Sequence, residues 1–312
     1  MMEKCPDVIL IGQGVKSPWY VGRTADRLLE TYGDSRVIDT PVSENAVTGT
    51  AVGAAITGLR PVVVHPRMDF MSYALDPIMN ESANWRYMSN GSSVCPVVFW
   101  GIINRGGEQG AQHSQALHSL YAHIPGLKVV APSNPYDAKG LMIAAVEDDN
   151  PVVFVDDRFL YEVNGIVPEE SYRVPIGKGN ICRNGTQISI ISLSYATHLA
   201  QQAAVNLDKN GIDVEIVDIR SVKPLDIEII VSSVKKTGLA IVLDIGWHSF
   251  GASAEISAVI HEQCFKSLRH PVSRLALPDV PAPSARTLES AYYYSASDIE
   301  KRVMDLLSKA NN

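Results

Sequence analysis

Asp7-Val8-Ile9-Leu10-Ile11-Gly12-Gln13-Gly14 is an apolar run that stops on two glycines, and Arg36-Val37-Ile38-Asp39 is a second, stopped by Thr40-Pro41. Both are too short for helices and too apolar for surface segments, so they read as buried strands. Between them Arg23 to Tyr32 has helical spacing, with Leu28 and Leu29 on the apolar side and Gly33 where a C-terminal cap belongs. A strand, a helix and a strand in that order form a β-α-β unit, which implies a parallel sheet.

The same alternation continues outward. Asn45 to Gly58 is a helix of small residues, and Pro61 to Val64 is a strand. Ser72 to Asn84 reads as one helix, Pro96 to Trp100 as a strand, Ala116 to His123 as a helix and Lys128 to Ala131 as a strand. The helix Tyr136 to Glu147 and the strand Val152 to Val155 close this half. Periodicity is then lost from about Glu162 to Pro175, as in a linker. It restarts with strand Ile188 to Leu193, helix Thr197 to Lys209, strand Asp213 to Asp218, a helix ending at Ser232 to Thr237, strand Ala240 to Asp244 and helix Ala252 to Phe265. Pro278 to Pro283 reads as extended and Ile299 to Leu307 as a terminal helix. The expected fold is α/β: a parallel-sheet domain over residues 1–175, followed by a smaller α/β domain over 176–312.

Composition narrows the function classes. At 312 residues, 46% hydrophobic and 20% charged, the chain has the makings of a packed two-domain core. Lys+Arg 27 against Asp+Glu 34 gives −7 at pH 7, with no basic run to follow a phosphate backbone, so nucleic acid is not expected as a partner. The longest apolar stretches fall well short of the roughly 20 residues that span a bilayer. Residues 1–12 lack the basic and apolar regions of a secretory leader. Four cysteines, Cys5, Cys95, Cys182 and Cys264, are scattered without a C-x-x-C pair, which disfavours disulfide and zinc frameworks and fits a reduced cytoplasm.

Familiar short motifs are absent. Gly12-Gln13-Gly14 lacks the third glycine of a dinucleotide fingerprint, and no phosphate loop, H-E-x-x-H or G-x-S-x-G occurs. His113, His118 and His123 recur every five residues, about 140° of helix rotation, so their imidazoles would not share a face as metal ligands do. His113 stands where a polar, glycine-rich loop enters a helix, which suits either a catalytic group or a capped, solvent-facing histidine. Glu44 precedes the small-residue helix. It could stabilise that helix N-terminus, or it could face a close-packed interface and share a proton with a heteroaromatic ring.

Several longer stretches carry a resemblance. Arg36-Val37-Ile38-Asp39-Thr40-Pro41-Val42-Ser43-Glu44, Gly53-Ala54-Ala55, Gln112-His113-Ser114-Gln115, His123-Ile124-Pro125-Gly126-Leu127-Lys128-Val129-Val130 and Asp137-Ala138-Lys139-Gly140-Leu141 resemble, in order and spacing, the β subunit of the E1 component of 2-oxoacid dehydrogenases. The resemblance runs from about Asp7 to the last helix. It implies a thiamine diphosphate enzyme with a pyrimidine-binding domain followed by a transketolase C-terminal domain, working as an α2β2 heterotetramer. In that family a G-D-G motif with a downstream Asn holds Mg²⁺ and the diphosphate, whereas this chain has only Gly33-Asp34-Ser35. The resemblance therefore implies an α-type subunit that holds the metal, with the helix Asn45 to Gly58 in the joining surface.

Residue by residue, Glu44 matches the glutamate that hydrogen-bonds the aminopyrimidine N1′ and promotes its imino tautomer, which takes the proton from thiazolium C2. Phe70 matches the aromatic residue packed on the aminopyrimidine, and a core role is the alternative. His113 matches the active-site histidine, which positions substrate and assists proton or acyl transfer, with Gln112 beside it. Asp148, Asn150 and the Ala145 carbonyl match a loop that holds a structural potassium ion in some members, while ordinary surface solvation explains them as well.

Two departures narrow the reading, one at the cofactor and one at the substrate. Gln13 stands where the family usually has an acid near the cofactor. Val64-His65-Pro66-Arg67-Met68-Asp69 replaces a Glu-led, mostly uncharged segment, so His65, Arg67 and Arg105 could bring positive charge to a substrate anion. The alternative is that Arg67 pairs with Asp69 or another neighbour. The leading expectation is decarboxylation of a small-molecule 2-oxo acid with acyl transfer to a lipoyl-bearing E2. One alternative is a split transketolase-like enzyme passing a two-carbon or acyl unit to a sugar or other carbonyl compound, and another is a non-catalytic scaffold subunit.

Overall fold

The computed structural model describes residues 1–17 and 23–310. The strands are β1 (Val8–Gly12), β2 (Val37–Asp39), β3 (Arg60–His65), β4 (Val98–Ile103), β5 (Lys128–Val130), β6 (Val152–Asp157), β7 (Asn180–Arg183), β8 (Ile188–Ser192), β9 (Val214–Asp218), β10 (Ser221–Lys223), β11 (Ala240–Trp247) and β12 (Ser273–Leu277). Among the described residues they form a seven-stranded sheet, β10-β5-β6-β4-β3-β1-β2, and a five-stranded sheet, β12-β11-β8-β9-β7. Every pairing is parallel except those of the edge strands β10 and β7, which are antiparallel. The α/β class with two sheets is therefore the observed fold.

Helices cover both faces of the sheets: α1 (Leu28–Tyr32), α2 (Glu44–Ile56), α3 (Ala83–Met88), α4 (His118–His123), α5 (Pro135–Glu147), α6 (Tyr195–Lys209), α7 (Ile227–Thr237), α8 (Ala252–Cys264), α9 (Arg286–Tyr292) and α10 (Ala296–Ala310). The two-residue period of β4 shows why its sequence is apolar throughout. Phe99 and Ile103 pack in the layer that holds Ala51 and Ala55 of α2, while Val98, Trp100 and Ile102 pack in the opposite layer with Leu141 and Val146 of α5. No helix among the described residues is long and apolar enough to cross a membrane.

Three expectations are corrected. The helix expected from Ser72 to Asn84 is a 3₁₀ turn at Met68–Ala74, a π-helical turn at Asp76–Ser82, and then α3. Pro77 lacks the N–H that a continuous α-helix would use there, and the wider turn absorbs the loss. The helix expected from Arg23 is regular only from Leu28, because Arg23 and Arg27 have φ of 66° and 64°. Gly33 does cap it, donating its N–H to the Leu29 carbonyl at 2.8 Å. Strand β10, absent from the sequence reading, leaves the second half of the chain to pair with β5 in the first sheet.

That crossing stitches the two halves together. Arg220, just before β10, pairs through Nη2 with Asp137 Oδ1 at 2.7 Å, and Asp137 sits in the first turn of α5. His118 of α4 places Nε2 2.9 Å from Asp244 Oδ1 of β11, both side chains fully buried.

Candidate active site

Strand order locates the site. From β1 the chain moves to β2 on one side and then returns to β3 on the other, so the loops after β1 and β3 diverge and leave a crevice at their carboxyl ends. Gly12 ends β1 where a Cβ would lie only 2.5 Å from the Val64 carbonyl oxygen of β3. This close approach puts Gln13 at the mouth of the crevice.

A cleft of about 520 Å³ opens there, lined among others by Gln13, Thr40, Glu44, His65, Arg67, Phe70, Tyr73 and His113. This volume suits a small ligand or part of a cofactor. Glu44 is the first residue of α2, half-buried at the helix N-terminus, where free backbone N–H groups favour a negative charge. The 3₁₀ turn after β3 delivers Phe70 and Tyr73, with ring centroids 6.4 Å apart. The loop before α4 delivers His113, which meets Phe70 edge to face.

His65 corrects one expectation. It is 2% exposed, and Nε2 lies 3.2 Å from the Thr48 hydroxyl in α2. Burial pushes its pKa down to about 4, so near neutral pH it is an uncharged imidazole and brings no positive charge to the cleft. Arg67 lines the cleft, with Nη1 donating to the Pro66 carbonyl at 2.8 Å.

Arg105 lies elsewhere and is the second correction. It is 5% exposed, ion-paired with Asp157, and its guanidinium sits 5.1 to 5.7 Å from the ring centroids of Phe159, Tyr195 and Tyr293. Those partners come from both halves of the chain and occupy the charge entirely. Gln112 is exposed next to His113, outside the cleft lining.

The Ala145, Asp148 and Asn150 loop is also remote from the cleft. Asp148 pairs with Lys128, and its Oδ1 accepts from the Asn150 backbone and side-chain N–H groups at 2.9 and 3.0 Å. Arg60 donates to the Asp148 carbonyl at 3.2 Å, Arg86 donates to Asn150 Oδ1 at 3.2 Å, and the Ala145 carbonyl accepts the Asp148 N–H. Three cationic side chains already serve these oxygens, so the loop as built does not fit a potassium ion.

Three residues of the site escaped the sequence reading as site residues. Tyr73 lies three positions after Phe70, a spacing that could have signalled it. Thr48 is a buried hydroxyl inside an otherwise small-residue helix. Asp69 is a 4% exposed acid between Met68 and Phe70.

The donor set can be weighed against the thiamine cofactor. A half-buried carboxylate, an aromatic ring face and an uncharged imidazole around a small cleft fit a flat aminopyrimidine. Among the described residues no group of three His, Cys, Asp or Glu is arranged to hold a metal ion. What the fold and the cleft define is a two-sheet α/β subunit with a small cleft at the carboxyl ends of β1 and β3.

Comparison with known proteins gives the family. Residues 1–163 match the transketolase pyrimidine-binding domain and 177–299 the transketolase C-terminal domain. The chain is 40% identical to the β subunit of an acetoin:2,6-dichlorophenolindophenol oxidoreductase from Cupriavidus necator, covering 96% of this chain and 91% of that one. It is also 40% identical to the pyruvate dehydrogenase E1 β subunit of Rickettsia felis, over 95% and 91%. Identity to the 2-oxoisovalerate dehydrogenase β subunit of Bacillus subtilis is 38%, over 98% and 94%. A split-gene transketolase, solved as an inactive β4 tetramer, shares the fold with a TM-score of 0.79 at 21% identity, over 98% of this chain and 94% of that one. The chain belongs to the family of transketolase-like β subunits of E1-type 2-oxoacid dehydrogenases.

Proposed function

We propose that this chain is the β subunit of a thiamine diphosphate-dependent E1 enzyme that decarboxylates a 2-oxo acid and passes the acyl group to the lipoyl group of an E2 protein. The observation that carries this reading is the gathering of Gln13, Glu44, Phe70 and His113 around one cleft at the carboxyl ends of β1 and β3. An α-type subunit supplies the ligands for Mg²⁺ and the diphosphate, and the functional division of this chain falls near residue 175.

The residues divide the work. Glu44 holds a proton shared with the pyrimidine ring nitrogen, a role for a carboxylate at a helix N-terminus that a partner subunit covers and dries. Phe70 packs on the ring, and His65, locked neutral by burial, offers hydrogen bonding without charge. His113 reaches the substrate side of the cleft and moves a proton to or from the reacting oxygen. Arg67 steers the substrate anion toward that histidine. When bound, thiamine diphosphate supplies the nucleophilic carbon and the electron sink for carbon–carbon cleavage.

A second reading has its own support: the acetoin-oxidising relative is as similar as the pyruvate dehydrogenase one. The complex would then cleave an acyloin at the same cleft. Co-expression with the α-type subunit, followed by assay with thiamine diphosphate, Mg²⁺ and an artificial electron acceptor, separates the two by comparing pyruvate, branched 2-oxo acids and acetoin. Glu44→Ala should lower turnover by about 10²- to 10⁴-fold on whichever substrate is used. Unchanged turnover in that variant would instead favour a scaffold role.

A further inference from the structure

The loop that brings His113 to the cleft is tied down at its far end by a carboxylate. Asp69 lies in the 3₁₀ turn beside Phe70, and its Oδ1 accepts the main-chain N–H of Gln115 at 3.0 Å. Gln115 is two residues past His113 and three before α4 begins, so this bond fixes the backbone within the loop itself. The same turn presents Phe70, whose ring touches His113. Asp69, buried behind the cleft, therefore ties the turn that presents Phe70 to the loop that presents His113.

The nature of the group sharpens the point. Asp69 is 4% exposed, and its Oδ2 is buried without a hydrogen-bond partner among the described residues. Burial pushes its carboxyl above the usual range, against the opposing pull of the Gln115 and Asp69 main-chain N–H groups, the Gln115 side chain and His113 nearby. Asp244, which holds the other end of the segment through His118, contrasts with it: its two oxygens accept from His118 Nε2, from the Gly246 N–H at 3.0 Å and from the Ser253 N–H at 2.7 Å. Asp244 is a satisfied anchor. Asp69 is a costly acid, half-satisfied, where an apolar side chain would pack at lower cost.

We propose that Asp69 is the positioning residue for His113, setting through the Gln115 N–H the height and angle at which the imidazole faces Phe70 and the reacting atoms. This rests on the reading of His113 given above. Its requirement is an acceptor oxygen at Oδ1, where the Gln115 main-chain N–H is held.

The test is a double-mutant cycle in the complex with the α-type subunit. Asp69→Leu removes the acceptor and should lower kcat by about 10- to 100-fold with KM little changed, the scale expected when a catalytic group is displaced by about 1 Å. Asp69→Asn keeps a carbonyl oxygen in the same place and should restore kcat to within a few-fold of wild type. In a His113→Ala background, Asp69→Leu should add almost nothing, because residues acting through one another are not additive. A His113→Ala complex of normal kcat would sink the reading of His113 itself. A slow His113→Ala complex combined with a normal Asp69→Leu, with an Asp69→Asn as slow as Asp69→Leu, or with full additivity in the cycle, overturns the positioning role alone. If Asp69→Leu does not assemble, Asp69→Ala takes its place, and failure of both makes Asp69 a folding determinant and overturns the proposal.

Discussion

Phe70 and His113 meet edge to face across the cleft, with ring centroids 5.4 Å apart and planes at 85°. The contact joins the turn after β3 to the loop before α4, segments 43 residues apart in sequence. An aromatic face and an imidazole are thereby held in one fixed relation before any ligand enters, which lowers the ordering cost of binding.

Phe70 should consequently matter for affinity more than for folding, since its ring is only half-buried. Phe70→Ala is expected to weaken binding of thiamine diphosphate to the assembled complex by about 10- to 100-fold, or about 1.4 to 2.8 kcal/mol. Phe70→Tyr should keep most of it. Calorimetric titration of the cofactor checks this, and equal affinity in Phe70→Ala would mean the ring does not stack on the ligand.

His65 makes stability depend on acid. Its folded pKa of about 4 lies below the unfolded 6.5, so the unfolded chain binds the extra proton between these values. Stability from this group is full above pH 6.5 and is lost as pH falls toward 4, amounting to about 3 kcal/mol. His65→Gln, uncharged throughout, should flatten the stability profile in that window by about one proton. Denaturant unfolding of both proteins at a series of pH values reads the difference directly.

Asp218 acts with the opposite sign. It is fully buried at the end of β9, accepting from the Ser133 hydroxyl at 2.5 Å and the Arg220 N–H at 3.0 Å, and burial pushes its pKa up to about 7. Here the folded chain holds the proton between 3.8 and about 7, so stability declines as pH rises through that range. Asp218→Asn should remove the decline and leave the variant relatively more stable at pH 8 than at pH 5. A parallel pH dependence in the two proteins would count against a protonated Asp218.

These contrasts mark where the sequence was legible. Apolar runs, broken by glycine after β1 and by Thr40-Pro41 after β2, reveal the β-α-β order because the signal is local and continuous along each buried strand. Three-residue β10 carries no such signal, since what makes Ser221 to Lys223 a strand is the edge of β5 in another part of the fold. Charge was harder still. His65 and Arg105 look like two more cations for the cleft, yet burial neutralises one, and Asp157 with three rings encloses the other. Neither the burial nor the partner, 52 residues away for Arg105, is a property of the flanking sequence.

Arg105 should then be a stability residue. Its guanidinium is 4% and the Asp157 carboxylate 0% exposed, so Arg105→Met leaves a buried, unpaired charge and is expected to cost about 3 to 5 kcal/mol. Adding Asp157→Leu should recover much of the loss. At a temperature where the single variant remains folded, KM for substrate should be near normal, because the side chain does not line the cleft. A raised KM with unchanged melting would return Arg105 to the substrate site.

Helix α2 offers a test that separates folding from assembly. Thr48, Ala51, Val52 and Ala55 are its buried side, whereas a Cβ added at Gly49 or Gly53 would meet nothing within 4 Å. Glycine inside a helix is unfavourable by about 0.5 to 1 kcal/mol relative to alanine, and nothing among the described residues requires it at these two positions. On the proposed reading, a subunit surface that approaches the helix backbone closely would supply the reason, and Glu44 at the head of the same helix would be dried by it. Gly53→Ala should accordingly raise the stability of the isolated chain by about 0.4 to 1 kcal/mol. Gly53→Leu should leave the isolated chain folded but weaken association with the α-type subunit, and turnover should fall in proportion to the complex lost. Measuring unfolding of the free chain beside co-purification of the complex distinguishes the two effects. A Gly53→Leu chain that assembles as tightly as wild type would place the subunit interface on another face.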